Sequence, residues 1–182
     1  ELPKGLGQMM NRAGDYWDAL KSIGLGPAIV KKAPVQEVVL LGADADLNRL
    51  PIMQCWPQDG GRFITMTTVI SRDPVKGIRN VGMYRCQVHD SHTLGMHWQL
   101  HKGGAEHERK AQQAGIDRIP VAISLGGDPA VMLSGSAPLP PDIDEFLLAG
   151  WLRGKPVELV RCVTQPLEVP AEAEIVIEGY VD

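Results

Sequence analysis

The apolar residues of this sequence come in short runs, of which 38–41 and 120–125 are typical. Such runs fall far short of the roughly 20 residues needed to cross a bilayer. They predict a soluble chain without a membrane span, built from short elements around one sizeable core, which 182 residues at 44% hydrophobic composition can supply. The chain begins Glu1-Leu2-Pro3-Lys4-Gly5. It has neither an initiator Met nor the basic flank, apolar stretch and small-residue cleavage site of a secretory signal, and reads as an excised piece. Cys55, Cys86 and Cys162 are odd in number and form no C-x-x-C, which argues against a disulfide framework or a zinc ribbon and for a reducing cytoplasm. Eighteen Lys and Arg against 22 Asp and Glu give a net charge of -4, with the basic residues scattered. No dense positive face is available for a nucleic-acid backbone.

Within residues 1–34, Met9, Met10, Ala13, Tyr16, Trp17, Leu20 and Ile23 approximate a helical stripe, and Gly24-Leu25-Gly26-Pro27 breaks it. This predicts a helical approach segment and a linker, with the main domain spanning 35–182. Strands are predicted over 38–41 as a buried run, over 63–70 from its Thr, Val and Ile content, and over 80–89 and 94–100 as a pair joined at Asp90-Ser91-His92. Helices are predicted over 105–114, ending at Gly115, over 128–133, and over 146–152. Between the first two lies a strand at 121–125, and strands return at 157–163 and 174–181. The class is α+β, a helical excursion between two sets of strands.

The densest polar and aromatic stretch runs from Asn80 to Gly103 and includes His89, His92, His97 and His101. Histidine clusters suggest a metal. His97 and His101 are four apart, however, and on a strand they would lie too far apart to share an ion. His89, His92 and His107 read as surface or loop residues, and Trp98 by itself reads as core. Arg85 beside Lys102-Gly103-Gly104 reads either as an anion site or as two solvated cations. No G-x-G-x-x-G or P-loop spacing is present. Glu145 supports two accounts, of which sequence logic alone prefers the first, a helix cap. With Asp142 as N-cap it would sit at N3 of a capping box, worth about 1 kcal/mol; as a hard oxygen ligand it would hold a divalent cation together with the Asn80 amide oxygen.

Four stretches in order, Asn80-Val81-Gly82-Met83-Tyr84-Arg85, Met96-His97-Trp98-Gln99-Leu100-His101-Lys102-Gly103-Gly104-Ala105, Pro138-Leu139-Pro140 with Glu145, and Glu174-Ile175-Val176-Ile177-Glu178-Gly179-Tyr180, resemble UbiD-type decarboxylases. The resemblance covers about 42–182. It implies a split β-barrel of the FMN-binding type that holds prenylated FMN, a manganese-type divalent ion and often K+. It also implies interconversion of small aromatic or α,β-unsaturated carboxylic acids with their decarboxylated products. On this resemblance Asn80 and Glu145 match metal ligands, which reverses the preference for a cap at Glu145. Met83, Tyr84, Arg85, His97, Trp98, Gln99, Lys102 and Gly103 match flavin-contacting positions, and Arg85 matches the arginine that holds the substrate carboxylate within an ion network. A third metal ligand, a histidine near His101 or Lys102 in some members, stays open.

In the family the Glu-Ile-Val-x-Glu-Gly strand continues into a Glu-Gly-Pro-Phe-Gly motif whose acids donate the proton. This chain stops at Asp182, and Glu178 belongs to the earlier strand. The expectation is a fragment, inactive alone, of a self-associating parent; the alternative is a non-catalytic flavin- or anion-binding split-barrel module. Asn80 and Arg85 are five apart and would face opposite sides of a regular strand. A shared site therefore predicts an irregularity near Gly82.

Overall fold

The computed structural model describes residues 25–140 and 143–182, so the stripe expected over Met9 to Ile23, and Asp142, lie outside the described residues. Among the described residues there are ten strands and three α-helices. In order they are β1 (Ala28–Val30), β2 (Phe63–Ile64), β3 (Thr67–Arg72), β4 (Arg79–Gly82), β5 (Cys86–Val88), β6 (Leu94–Met96), α1 (Gly103–Gln113), β7 (Ile119–Leu125), α2 (Pro129–Ser136), α3 (Glu145–Arg153), β8 (Glu158–Arg161), β9 (Glu168–Pro170) and β10 (Ile175–Val181). The fold is mixed α+β.

The central sheet is antiparallel, in the order β10-β7-β3-β4. Val69 and Ile70 are neighbours on β3, and neither is exposed to solvent. Because successive strand residues point to opposite faces, each feeds a different core. Ile70 packs with Val81, Ala122, Phe146 and Leu159 under α2, α3 and the sheet β1-β8-β9. Val69 packs with Ile64, Tyr84, Cys86 and Ile123 toward the sheet β2-β5-β6.

Two stretches expected as single strands are each divided between sheets. Residues 63–70 split into β2 and β3, and 80–89 into β4 and β5. Both divisions fall at one corner, where the Thr67 hydroxyl replaces the missing ladder bonds: it donates to the Tyr84 carbonyl and accepts from the Tyr84 N–H at 3.3 Å. The irregularity expected near Gly82 is therefore present as the end of β4. A Cβ on Gly82 would overlap the Tyr84 ring, which folds back across the corner.

Other expectations are corrected. Residues 38–41 form no strand. They run between short 3-10 turns at Pro34–Gln36 and Gly42–Asp44, and Val38 is 73% exposed. They line a cavity of about 580 Å3 together with Ile175 and Ile177 of β10. The strand expected over 94–100 stops at Met96, because the chain turns there through Gln99, whose carbonyl accepts from the Lys102 N–H at 2.9 Å, into α1. Residues 28–30, read as linker, pair in parallel with β8. His107, read as a surface residue, is buried on α1 with its Nδ1 3.0 Å from Ser71 Oγ. Among the described residues no helix is long and apolar enough to cross a membrane.

Candidate functional site

The site gathers where β4 meets the starts of α1 and α3. β4 is an edge of the central sheet, bonded on one side only, to β3. Its outer N–H at Val81 needs a partner. Glu145 supplies it, accepting at Oε2 from Val81 N at 2.9 Å. This corrects the capping-box reading. Asp144, rather than Asp142, caps α3, accepting at Oδ1 from Phe146 N at 3.0 Å. Glu145 thus becomes the first helical residue, and its carboxylate reaches across to β4. Burial pushes that carboxyl up to about 7, with its own N–H and that of Val81 opposing the shift. A carboxylate kept from ionising by burial is one that a nearby cation favours in its charged form.

Asn80 precedes Val81 on β4. Its Nδ2 donates to the Tyr84 hydroxyl at 3.3 Å, and the same hydroxyl accepts from the Gly104 N–H at 3.1 Å. Gly103, the first residue of α1, lies so close to Asn80 that a Cβ there would overlap Oδ1. Gly103-Gly104 therefore bring the positive end of α1 up to the amide, the placement that helix N-termini offer to anions. Further along α1, Lys110 Nζ lies 2.6 Å from Asp73 Oδ2 and ties the helix to the end of β3. Burial raises the Asp73 carboxyl, but Lys110 and the Lys76 and Val75 N–H groups outweigh it and bring it from 3.8 to about 2. Trp98 packs edge-on to Tyr84, ring centroids 6.0 Å apart. Its Nε1 is buried beside Gly104 and has no acceptor among the described residues.

Asn80, Tyr84, Trp98 and Gly103 are thus brought together, and Glu145 bonds the residue that follows Asn80. Met83 borders them, its N–H donating to Gly135 of α2 at 3.1 Å. The remaining candidates form an exposed rim. The Arg85 guanidinium stacks on Phe63, with Cζ 4.8 Å from the ring centroid, and has no carboxylate partner among the described residues. His97 is exposed and donates its N–H to the Arg85 carbonyl at 3.0 Å, while Gln99 and Lys102 are exposed at the approach to α1. Glu178 stands apart, accepting from the Val163, Thr164 and Gln165 N–H groups between β8 and β9.

Sequence reasoning missed Arg79 and Asp144. Arg79 Nη1 lies 2.6 Å from Asp144 Oδ2 and its Nη2 2.9 Å from Glu168 Oε2, and Glu168 also pairs with Arg72. The one available signal was adjacency: each of the two residues directly precedes a candidate ligand. No group of three His, Cys, Asp or Glu side chains able to hold a metal occurs among the described residues. What is present is an amide oxygen beside the helix terminus and one carboxylate bonded to the N–H of the next residue on β4. These are hard oxygen donors of the kind magnesium- and manganese-type ions take when the remaining ligands come from phosphate and water. The donor set, the glycine contact against Asn80 and the unpartnered indole N–H fit a phosphate-bearing cofactor with a divalent ion.

Residues 28–182 match the family model described as 3-octaprenyl-4-hydroxybenzoate carboxy-lyase Rift-related domain, and the chain belongs to this UbiD family. An uncharacterised protein of Aquifex aeolicus is 54% identical over 156 residues, covering 86% of this chain and 32% of its own length. The UbiD-class enzyme HmfF from Pelotomaculum thermopropionicum, solved in complex with FMN, superposes with a TM-score of 0.81 at 36% identity over 91% of this chain and 37% of that one. Klebsiella pneumoniae 3,4-dihydroxybenzoic acid decarboxylase (AroY) gives 0.77 at 32% identity over 95% and 36%. The chain spans about a third of the length of each of these proteins.

Proposed function

We propose that this chain is the flavin-binding region of a carboxy-lyase that removes or adds carbon dioxide on aromatic or α,β-unsaturated carboxylic acids. The observation that carries the reading is the reach of Glu145 from α3 to the N–H of Val81, the residue after Asn80, whose amide meets the start of α1. In this reading Asn80 and Glu145 hold a manganese-type ion, and the ion and the α1 N-terminus together hold the cofactor phosphate. The three sheets act as a split barrel, with residues 35–182 as its main body.

When bound, prenylated FMN supplies the covalent, electron-accepting chemistry of decarboxylation. The chain's own residues bind and orient. Tyr84 and Trp98 wall the buried side and exclude water, and the Trp98 N–H donates to an acceptor of the bound group. Met83, His97, Gln99, Lys102 and Gly103 border the cofactor. Arg85 leaves Phe63 to offer its planar fork to the substrate carboxylate, a geometry suited to two parallel hydrogen bonds. The three thiols are free, which suits a reducing cytoplasm. The parent assembles as a homo-oligomer.

One observation favours the second reading, a non-catalytic flavin- or anion-binding module: Arg85 has no carboxylate among the described residues to complete an ion network. The two readings separate on two measurements. Flavin absorbance retained after desalting from prenylated FMN and Mn2+ is expected under both, and its absence contradicts both. Carbon dioxide release from cinnamate-like or hydroxybenzoate-like acids by the full-length parent is expected only under the first.

A further inference from the structure

Arg72 and Arg79 face each other across β3 and β4, a pairing that like charges normally disfavour. Glu168 answers it by pairing with both. Arg79 nevertheless carries a second commitment. Its side chain is only 9% exposed, its Cζ sits 5.2 Å from the centroid of the fully buried Phe146 ring, and its Nη1 is 2.6 Å from Asp144 Oδ2. Asp144 is also divided, holding Arg79 with Oδ2 and the α3 cap with Oδ1. The residue after Arg79 is Asn80 and the residue after Asp144 is Glu145.

We propose that the Arg79–Asp144 ion pair is a positioning device that sets the separation of Asn80 from Glu145 and so tunes cation affinity at the site. This rests on the reading of Asn80 and Glu145 as cation ligands. The physical argument is one of levers. β4 and α3 come from segments 65 residues apart in sequence. Among the described residues, two polar contacts dock the α3 start on β4: the ion pair, and the Glu145 bond to Val81. A ligand cation competes for the Glu145 carboxylate, and the ion pair is the contact that stays in place when it does. The arginine fork is required because it spans two carboxylates from two elements, Asp144 of α3 and Glu168 of β9, whereas lysine is a single point charge. Residues that orient metal ligands typically change metal affinity by about 10–100-fold when substituted.

The test is Mn2+ affinity of the chain in the presence of FMN, read by electron paramagnetic resonance of free Mn2+, alongside thermal unfolding. Asp144→Asn keeps a good helix cap while removing the charge, and Arg79→Lys keeps the charge while removing the fork. Each is expected to weaken Mn2+ at least about tenfold, and the double variant to lose little more than either alone, because both act through one pair. Loss of thermal stability with Mn2+ affinity unchanged in the folded protein overturns the proposal and leaves the cation site standing. A wild-type chain whose Mn2+ binding is absent, or is indifferent to both Asn80→Ala and Glu145→Gln, overturns the cation-site reading and this inference with it.

Discussion

On the side where β4 meets α3, the charged side chains are engaged inside the chain: Arg79 is held by two carboxylates, Asp144 by an arginine and a helix cap, and Glu145 by a backbone N–H. On the side where β5 and β6 end, Arg85, His97, Gln99 and Lys102 stand exposed, and the Arg85 guanidinium rests on an aromatic face. Under the proposed function, the difference follows from what each side would have to resist. Hard oxygens that share one small ion have to be held at fixed distance against their own repulsion and burial, so their supports are built into the core. Side chains that close over a planar ligand need freedom to move. The buried half is therefore the one expected to fail when packing is disturbed, and the exposed half the one expected to tolerate change until a ligand is present.

That contrast can be broken most forcefully at Phe146, which lies under Arg79 and is fully buried. Phe146→Ala is expected to cost about 3–5 kcal/mol, measured by urea unfolding. A cost near that of a surface substitution would erase the distinction. Glu145→Gln comes next: it keeps an acceptor for Val81 but removes the charge, and should weaken Mn2+ in the presence of FMN by more than about 100-fold. Gly103→Ala separates stability from binding. Alanine improves helix propensity by up to about 1 kcal/mol, so the melting temperature should hold, while the displaced Asn80 amide should lower Mn2+ affinity by about tenfold.

A pH series sharpens the same side. The Glu145 carboxyl is raised by burial from 4.5 to about 7. A group whose folded value is raised contributes stability that is present below its unfolded value and lost as pH rises through the folded one. The metal-free chain should therefore lose stability between pH 4.5 and about 7 from this group, and Mn2+ with FMN should restore more of it at pH 8 than at pH 5 in thermal scans. An equal Mn2+ effect at both pH values would remove Glu145 from the ligand set. The smallest effects belong to the rim. Arg85→Ala and Lys102→Ala should each change unfolding free energy by less than about 1 kcal/mol, with any loss confined to flavin or substrate binding.

How far the sequence foretells this arrangement depends on how local each signal is. α1, α2 and β7 are legible because caps, stops and apolar runs lie within the elements themselves: Asp128 caps α2 with an accepted bond from Ala130 N, and Gly115 follows α1 with φ 68°. The splitting of 63–70 and 80–89 between two sheets is not, because the corner is set by Thr67 reaching Tyr84 17 residues away. The run 38–41 shows the reverse failure, apolar content without a partner to bury it. Asn80 and Glu145 emerge only from the ordered set of motifs, since local logic makes Glu145 a cap. Arg79 and Asp144 leave no trace beyond their adjacency to Asn80 and Glu145, because an ion pair across 65 residues marks neither partner locally.

The central claim is that one divalent ion is shared by the Asn80 amide and the Glu145 carboxylate. Anomalous diffraction at the manganese edge, from crystals of the chain grown with FMN and Mn2+, measures this directly. The account predicts a single strong peak at about 2.0–2.4 Å from Asn80 Oδ1 and from a Glu145 carboxylate oxygen. A peak elsewhere with both side chains unshifted, or no peak with flavin density present, would contradict it.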